Sequence, residues 1–209
     1  IALKIMAFAH LHVHTYYSIL DGQASIKAHF KKAAEDSQPA LAITDHGVMY
    51  GAIDFYQECK KQGIKPIIGC EVYVTTGSHL ERNNRGLFHL ILLAENLEGY
   101  YNLMKIVSLA QLEGFYYKPR VDKDILRAHS KGLICLSACI AGELPVFILQ
   151  DNLDGARRCL EEHIEIFGKE NYFLEIQNHD LDEERKVNRA LKQLAREYGL
   201  GLVATNDLH

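Results

Sequence analysis

Short apolar runs alternate along the chain with stretches of helical periodicity. The runs are FAHLHVH (8–14), ALAITD (40–45), PIIGCEVYV (66–74), FHLILLA (88–94), LICLSA (133–138), YFLEIQ (172–177) and LVATND (202–207). Their length and near-continuous apolar character suit strands covered on both faces. Between them, Ile26, Phe30 and Ala33 share one helical face, Ile53, Tyr56 and Cys59 a second, and Leu103, Met104, Val107 and Ala110 a third. Ala156, Leu160, Ile164 and Phe167 make a fourth; Val187, Leu191, Leu194 and Tyr198 make a fifth, closed by Gly199. A repeated β-α order predicts an α/β fold with a parallel sheet, either open and doubly wound or closed into a barrel. No GxGxxG follows the first run, so dinucleotide binding has no support. The segment TTGSHLERNNRGL (75–87) predicts an irregular loop at the rim.

Polar residues fall at particular places on this pattern. His12 and His14 close the first run, Asp45 and His46 the second, and Asp207 and His209 the last. Glu71 lies late in the third run, while Cys139 and His179 just follow the fifth and sixth. In α/β folds, function gathers at the carboxyl ends of the strands. His89 is the exception, near the start of its run. Residues i and i+2 on a strand project from one face, so His12 and His14 can converge on one cation, and Asp207 and His209 repeat that spacing. If the sheet closes, the two pairs face one site.

Composition sharpens this. The chain has 209 residues and 48% hydrophobic content, enough for one sizeable core. A net charge of −4 excludes a broad basic surface of the kind that grips nucleic acid through side-chain charge alone. Five cysteines without a CxxC pair fit reduced thiols and a cytoplasmic location. No apolar run reaches the ~18 residues of a membrane span, and IALKIMAFA, lacking a basic flank, reads as part of the first strand. Met6 is a candidate natural start. Histidine, at 11 copies, is the unusual entry in the count. A mixed His, carboxylate and thiolate set exceeds one tetrahedral site and implies two or three divalent ions: Zn²⁺ is favoured, with Mn²⁺ or Fe²⁺ as alternatives. Clustered ions lower the pKa of bound water and clamp the oxygens of an in-line displacement, which points to a phosphate ester as substrate. Arg82, Arg85, Lys118 and Arg120 are basic groups near the rim that could hold further phosphates.

Plainer roles stand beside these. Glu71 could be a rim carboxylate paired to a lysine, Asp45 a turn cap and Cys139 a small buried hydrophobe. His10 reads as core, His29 and His129 as solvated, His163 as packing, and His79 as a loop residue.

The motifs HLHVHTYYSILDG, ALAITDHGVMYGAIDFY, GIKPIIGCEVYV, GFYYKPRVD and GLVATNDLH together resemble the polymerase-and-histidinol-phosphatase (PHP) domain. Within it they look most like the branch at the amino terminus of bacterial DNA polymerase III alpha subunits. The resemblance runs over essentially the whole chain, read as a single domain over 1–209. It implies a distorted (β/α)₇, TIM-like barrel with a trinuclear centre at the carboxyl ends of the strands. Carried over by position, His12, His14, Glu71 and Asp207 hold one metal and form the catalytic set. Glu71, His89 and Cys139 hold a second; Asp21, His46 and His209 hold a third. Arg120 and Arg85 are expected to contact substrate, and His179, which has no place in the nine-residue set, either to contact substrate or to support a ligand from behind. The implied activity is a metal-dependent phosphoesterase, as a 3′–5′ exonuclease on a DNA primer end, with no polymerase activity in this segment. The alternatives are a non-catalytic module docking a proofreading exonuclease subunit, or a small-molecule phosphatase of the histidinol-phosphatase type. The implied partners are DNA and the remaining polymerase domains. The chain stops directly after its DxH, which suggests a fragment of a longer alpha subunit.

Overall fold

The computed structural model describes residues 8–19 and 21–209; most of IALKIMAFA lies outside them. The order is α1 (Ile26–Glu35), β1 (Ala40–Ile43), α2 (Ala52–Gln62), β2 (Lys65–Thr75), β3 (Leu87–Ala94), α3 (Leu97–Leu112), β4 (Arg120–Val121) and α4 (Lys123–His129). There follow β5 (Leu133–Leu136), α5 (Glu143–Leu149), α6 (Leu153–Phe167), β6 (Tyr172–Ile176), α7 (Asp182–Tyr198) and β7 (Gly201–Ala204). The sheet runs β1-β2-β3-β5-β6-β7, with β4 added to β2.

The curled sheet closes through residues 10–14. The amides of Ala42 and Thr44 donate to the carbonyls of His10 and Val13 at 3.0 and 2.9 Å. On the other side, His14 donates to Leu208 at 2.7 Å and Leu208 to His12 at 3.2 Å. The first and last segments are therefore neighbours in a distorted barrel. Residues 8–14 form no ladder strand, because their hydrogen bonds are divided between two partners and Val13 N is taken by the Thr44 hydroxyl at 2.8 Å. Only the Val13–Leu208 bridge is regular.

The expectation of a parallel sheet needs one correction. β3 is antiparallel to both β2 and β5. The link over 76–86 carries no helix, so the chain turns straight back, as antiparallel neighbours permit and parallel ones do not. The start of β3 consequently sits at the rim where the parallel strands end.

Alternation sorts the side chains. On β2 and β3, Cys70, Val72, Val74, Leu90 and Leu92 face outward into the main core beneath α3 to α7. Their alternates face the barrel axis, where Ala42, Ile91, Leu93, Leu136 and Ala138 form an apolar floor. Glu71 is paired across the ladder with Ile91, and Tyr73 with His89, so the polar layer stands directly above that floor. A third cluster, including Val13, Phe30, Leu41 and Phe55, joins α1 and α2 to β1.

The helices follow the apolar stripes except at α2. There the buried positions are Ala52, Phe55 and Cys59, while Ile53 and Tyr56 are exposed. The Phe55 ring packs 5.3 Å from Phe30 and turns the helix by one position. Ser25 and Asn152 accept N-terminal amides of α1 and α6, and Gly199, with φ 64°, caps α7. His29 is buried rather than solvated, its Nε2 lying 2.9 Å from the His14 carbonyl. His163 is core, as expected.

Arg120 is also inside. Its side chain is fully buried, with Nε donating to Gly114 O at 3.0 Å and Nη1 to Asn84 O at 2.9 Å. Nη2 donates to the carbonyls of His79 and Glu81. Four of its five N–H groups are thus spent on the backbone of two loops, leaving it a brace with no face for substrate. Lysine cannot span carbonyls so widely separated, and each carbonyl left unpaired in the interior costs about 1–3 kcal/mol. Arg120→Lys should therefore lower stability by about 3 kcal/mol, or roughly 6–12 °C in Tm for a chain of this size. A calorimetric shift below about 2 °C would contradict this account.

Candidate metal centre

Glu71 organises the site. It is 1% exposed, and its Oε2 is approached by His12 Nε2 at 3.3 Å, His14 Nε2 at 3.0 Å and His46 Nδ1 at 2.9 Å. Its Oε1 lies 2.5 Å from His89 Nδ1, and Cys139 Sγ lies 3.7 Å from that same nitrogen. Asp207 Oδ1 meets His12 Nε2 at 2.9 Å, His14 Nε2 at 3.3 Å and His209 Nε2 at 3.3 Å. Asp21 contacts His46 Nε2 at 2.8 Å and His209 Nδ1 at 3.3 Å. The nine side chains proposed as ligands from the sequence thus gather in one cluster. Within this cluster, ligand atoms lie within 4.8 Å of one another in His12–His14–Glu71, His46–Glu71–His89 and His14–His46–His209; those of Glu143, Cys159 and His163 lie as close outside it.

Each residue arrives by a different local device. His12 and His14 come from the closing segment, with ring centroids 5.1 Å apart. His46 follows β1 and bridges to Glu71 in register. His89 reaches the rim because β3 runs backwards, which removes the exception noted in the sequence. Cys139 follows Ala138, and Asp207 is itself in the left-handed region, with φ values of 63° and 47°. Such backbone is uncommon for non-glycine residues and concentrates at functional sites.

A further layer orients the ligands. Glu175 Oε1 accepts from His12 Nδ1 at 2.8 Å and is held in turn by Gln177 at 3.0 Å and by the Thr205 hydroxyl. The Ser18 hydroxyl donates to Asp45 at 2.7 Å, so it accepts from His14 Nδ1 at 3.0 Å. When neutral, both imidazoles therefore carry their proton on Nδ1 and present the Nε2 lone pair inward, the arrangement that second-layer partners of metal-binding histidines impose. Asp45 also accepts from Thr15 N at 2.6 Å and Thr15 Oγ1 at 2.9 Å, which makes it the clasp of the 15–18 loop. Glu175 is the residue most open to detection in the sequence, as a carboxylate at an inward position of YFLEIQ. Ser18 and Thr15 carry no such signal.

Protonation follows from these contacts. Burial alone would push Glu71 up, but the close approach of the His12, His14, His46 and His89 imidazoles outweighs it and holds the carboxyl well below its usual range. Burial likewise opposes ionisation of Asp207, and the His12 and His14 bonds reverse that. Burial would lower His12 and His14, yet their carboxylate partners raise both. His89 is raised to about 10: burial, which would lower it, is outweighed by Cys139 and Glu71. His209 is lowered, by burial and then by repulsion from His14.

The expected substrate contacts fare differently. Arg120 is the buried brace described above. His179 has both ring nitrogens engaged, Nδ1 2.6 Å from Glu184 and Nε2 2.7 Å from the Asn206 carbonyl, so it holds the residue preceding Asp207. Arg85 is exposed on the rim, bonded to the Tyr117 hydroxyl. Arg82 is spent on three carbonyls.

Comparison with known proteins agrees with this geometry. DNA polymerase III subunit alpha of Thermus aquaticus is 52% identical over 98% of this chain, and that of Treponema pallidum is 50% identical over 98%. The chain spans only 17% and 18% of those two relatives. Among solved structures, a protein from Bifidobacterium adolescentis assigned as a metal-dependent phosphoesterase superposes with a TM-score of 0.64. It is 11% identical, over 98% of this chain and 88% of that one. An amidohydrolase from Chromobacterium violaceum, with sulfate bound, gives 0.58 at 16% identity, over 97% and 88%. The profile of the PHP domain matches residues 10–179, and the chain belongs to the PHP domain family.

Proposed function

We propose that this chain is a metal-dependent phosphodiesterase unit of a bacterial replicative polymerase alpha subunit, acting as a 3′–5′ exonuclease on a DNA primer end. The observation that carries the reading is a set of buried donor atoms without hydrogen-bond partners. His14 Nε2, His46 Nδ1, Glu71 Oε1 and Asp207 Oδ1 all lack one, although they lie close to one another. They lie within 2.5–3.3 Å of neighbouring site atoms without making hydrogen bonds to them. Such orphaned groups are costly unless a cation completes them.

The donor set fits two or three divalent ions, with Zn²⁺ favoured by the imidazoles and the thiolate of Cys139 and Mn²⁺ or Fe²⁺ as alternatives. His12, His14, Glu71 and Asp207 would hold one ion, Glu71, His89 and Cys139 a second, and Asp21, His46 and His209 a third. Such ions supply charge neutralisation at phosphoryl oxygens and lower the proton affinity of water. The protein itself keeps His12 and His14 in one tautomer through Glu175 and Ser18, and seals the floor with Ile91 and Leu136. The remaining polymerase domains and a proofreading exonuclease subunit are the proposed protein partners.

His14→Ala removes a ligand shared by Glu71 and Asp207. Cleavage of 3′-labelled DNA should fall by at least about 100-fold, together with loss of metal measured by mass spectrometry. Wild-type protein with a full metal complement and no cleavage of DNA or bis-p-nitrophenyl phosphate would overturn the reading in favour of a non-catalytic docking module. Efficient cleavage of histidinol phosphate alone would favour a small-molecule phosphatase.

Metal loading should release protons. The raised histidines stabilise the metal-free fold fully below about pH 6.5, and that contribution is lost as pH climbs through their folded values, about 10 for His89. Glu71 and Asp207, both depressed, contribute above about pH 4 and lose that contribution as pH falls through their folded values. The metal-free site is therefore best compensated between about pH 4.5 and 6.5. At pH 7 His89 must give up its proton to become a ligand. Zinc titration at pH 7 should release about one proton or more per chain, and apparent affinity should rise with pH from about 7 to 9. Titration in buffers of differing ionisation enthalpy measures this; no proton release, or affinity falling with pH, would contradict the assignment of His89.

A further inference from the structure

A cleft of about 600 Å³ opens from His46, His89 and Asp21 toward solvent. It is far larger than a phosphate group requires, and its walls are aromatic. Tyr50, in the turn before α2, is 68% exposed; Phe115 and Tyr117, in the loop before β4, are 53% and 63% exposed. Single exposed aromatics are ordinary, but these three come from two separate segments and line one cleft beside one site.

Two features set the cleft apart from a generic apolar groove. Tyr117 stands at the tip of a tight turn, with Tyr116 N bonded to Lys118 O at 3.0 Å, and its own φ is 61°. A bulky residue in the left-handed region is strained and is held there by its surroundings. Arg85 lies against the ring, 4.1 Å from its centroid, and bonds the hydroxyl. The second feature is charge. Lys118 Nζ sits 5.3 Å from the Tyr73 ring and has no carboxylate partner among the described residues. Tyr73 in turn packs 5.9 Å from His46 and 5.3 Å from His89. One aromatic ring therefore separates an unpaired cation from the proposed metal ligands.

We infer that this cleft is a stacking subsite for a single-stranded polynucleotide end. The nucleobases lie against Tyr117 and Phe115, and Lys118 meets a phosphate next to the one at the metal centre. The inference rests on the phosphodiesterase reading above. Aromatic faces with interleaved cations suit single-stranded nucleic acid because every base offers a π-face, whatever its sequence. A duplex keeps its bases inside and presents none of them, so the subsite selects a frayed or unpaired terminus.

The test is fluorescence anisotropy on metal-loaded protein with a labelled, phosphorothioate-protected oligothymidylate and an abasic deoxyribose-phosphate chain of equal length. Wild-type protein should bind the oligothymidylate about 10-fold more tightly or better. Tyr117→Gly suits the local φ and so removes the ring without straining the backbone. It should cut oligothymidylate affinity about 10-fold while changing abasic binding less than about 2-fold. Tyr117→Phe should keep wild-type affinity within about 2-fold. Lys118→Gln should weaken both ligands and flatten the salt dependence by about 0.7 in slope. Equal wild-type affinity for the two ligands, or equal weakening of both by Tyr117→Gly, would overturn the subsite. Cleavage of bis-p-nitrophenyl phosphate separates the two failures: if it persists, the subsite alone is wrong, and if it is absent, the phosphodiesterase reading has failed.

Discussion

The structure depends on keeping one carboxylate ionised in a place where ionisation is expensive. Glu71 is 1% exposed, in mid-strand, with an apolar floor beneath it. An unpaired charge there would carry a desolvation penalty of several kcal/mol. Four imidazoles offset much of that penalty, and they come from three separate segments of the chain: His12 and His14, His46, and His89. Barrel closure through residues 10–14, the register that sets His46 opposite Glu71, and the reversal of β3 can each be read as a condition for assembling that ring. The topology and the electrostatics are one problem.

The reversed strand shows this most clearly. In a uniformly parallel barrel, a ligand near the start of a strand would lie at the rim opposite the other ligands. Turning β3 antiparallel puts His89 above Ile91 and Leu93 on the same inward face, across from Tyr73 and above Glu71. The outward alternates Leu90 and Leu92 still meet the main core, so the reversal leaves the packing layer intact.

Much of this was legible in the residues, and the failures have physical causes. Five helices and six of the seven strand runs were visible because apolar periodicity is a strong signal when an element packs against a large core. Strand direction was not visible, because near-continuous apolar runs look the same whichever way they point. β4, α4 and α5 escaped because two to seven residues carry too little pattern. The α2 stripe was misplaced by one position because Ile53 and Tyr56 are as apolar as Ala52 and Phe55, and only contact with Phe30 decides between them. At the site, the HxH and DxH pairs could be read from spacing, whereas Asp21 and His89 needed the family resemblance. Arg120 was misread because its charge suggests a surface. In the fold that charge is buried and paid out to four backbone carbonyls.

Those carbonyls explain how the cleft can be ready before anything enters it. Arg120 fixes the 79–84 loop, Gln111 holds the Gly47 carbonyl at 2.9 Å, and Asp45 clasps Thr15 and Ser18. Each wall beside the proposed metal ligands is thereby tied to polar side chains of the protein. Among the buried side-chain atoms without a hydrogen-bond partner, those of His14, His46, Glu71 and Asp207 meet at the proposed ligand cluster, while His10, Thr75, His79, Glu143 and Glu175 carry others elsewhere. At that cluster four unpartnered atoms lie side by side, which is where the proposed cations would relieve the strain. Under the proposed reading, an acidic chain would meet phosphate without a basic surface, because bound cations would collect the positive charge in one pocket instead of spreading it over the exterior.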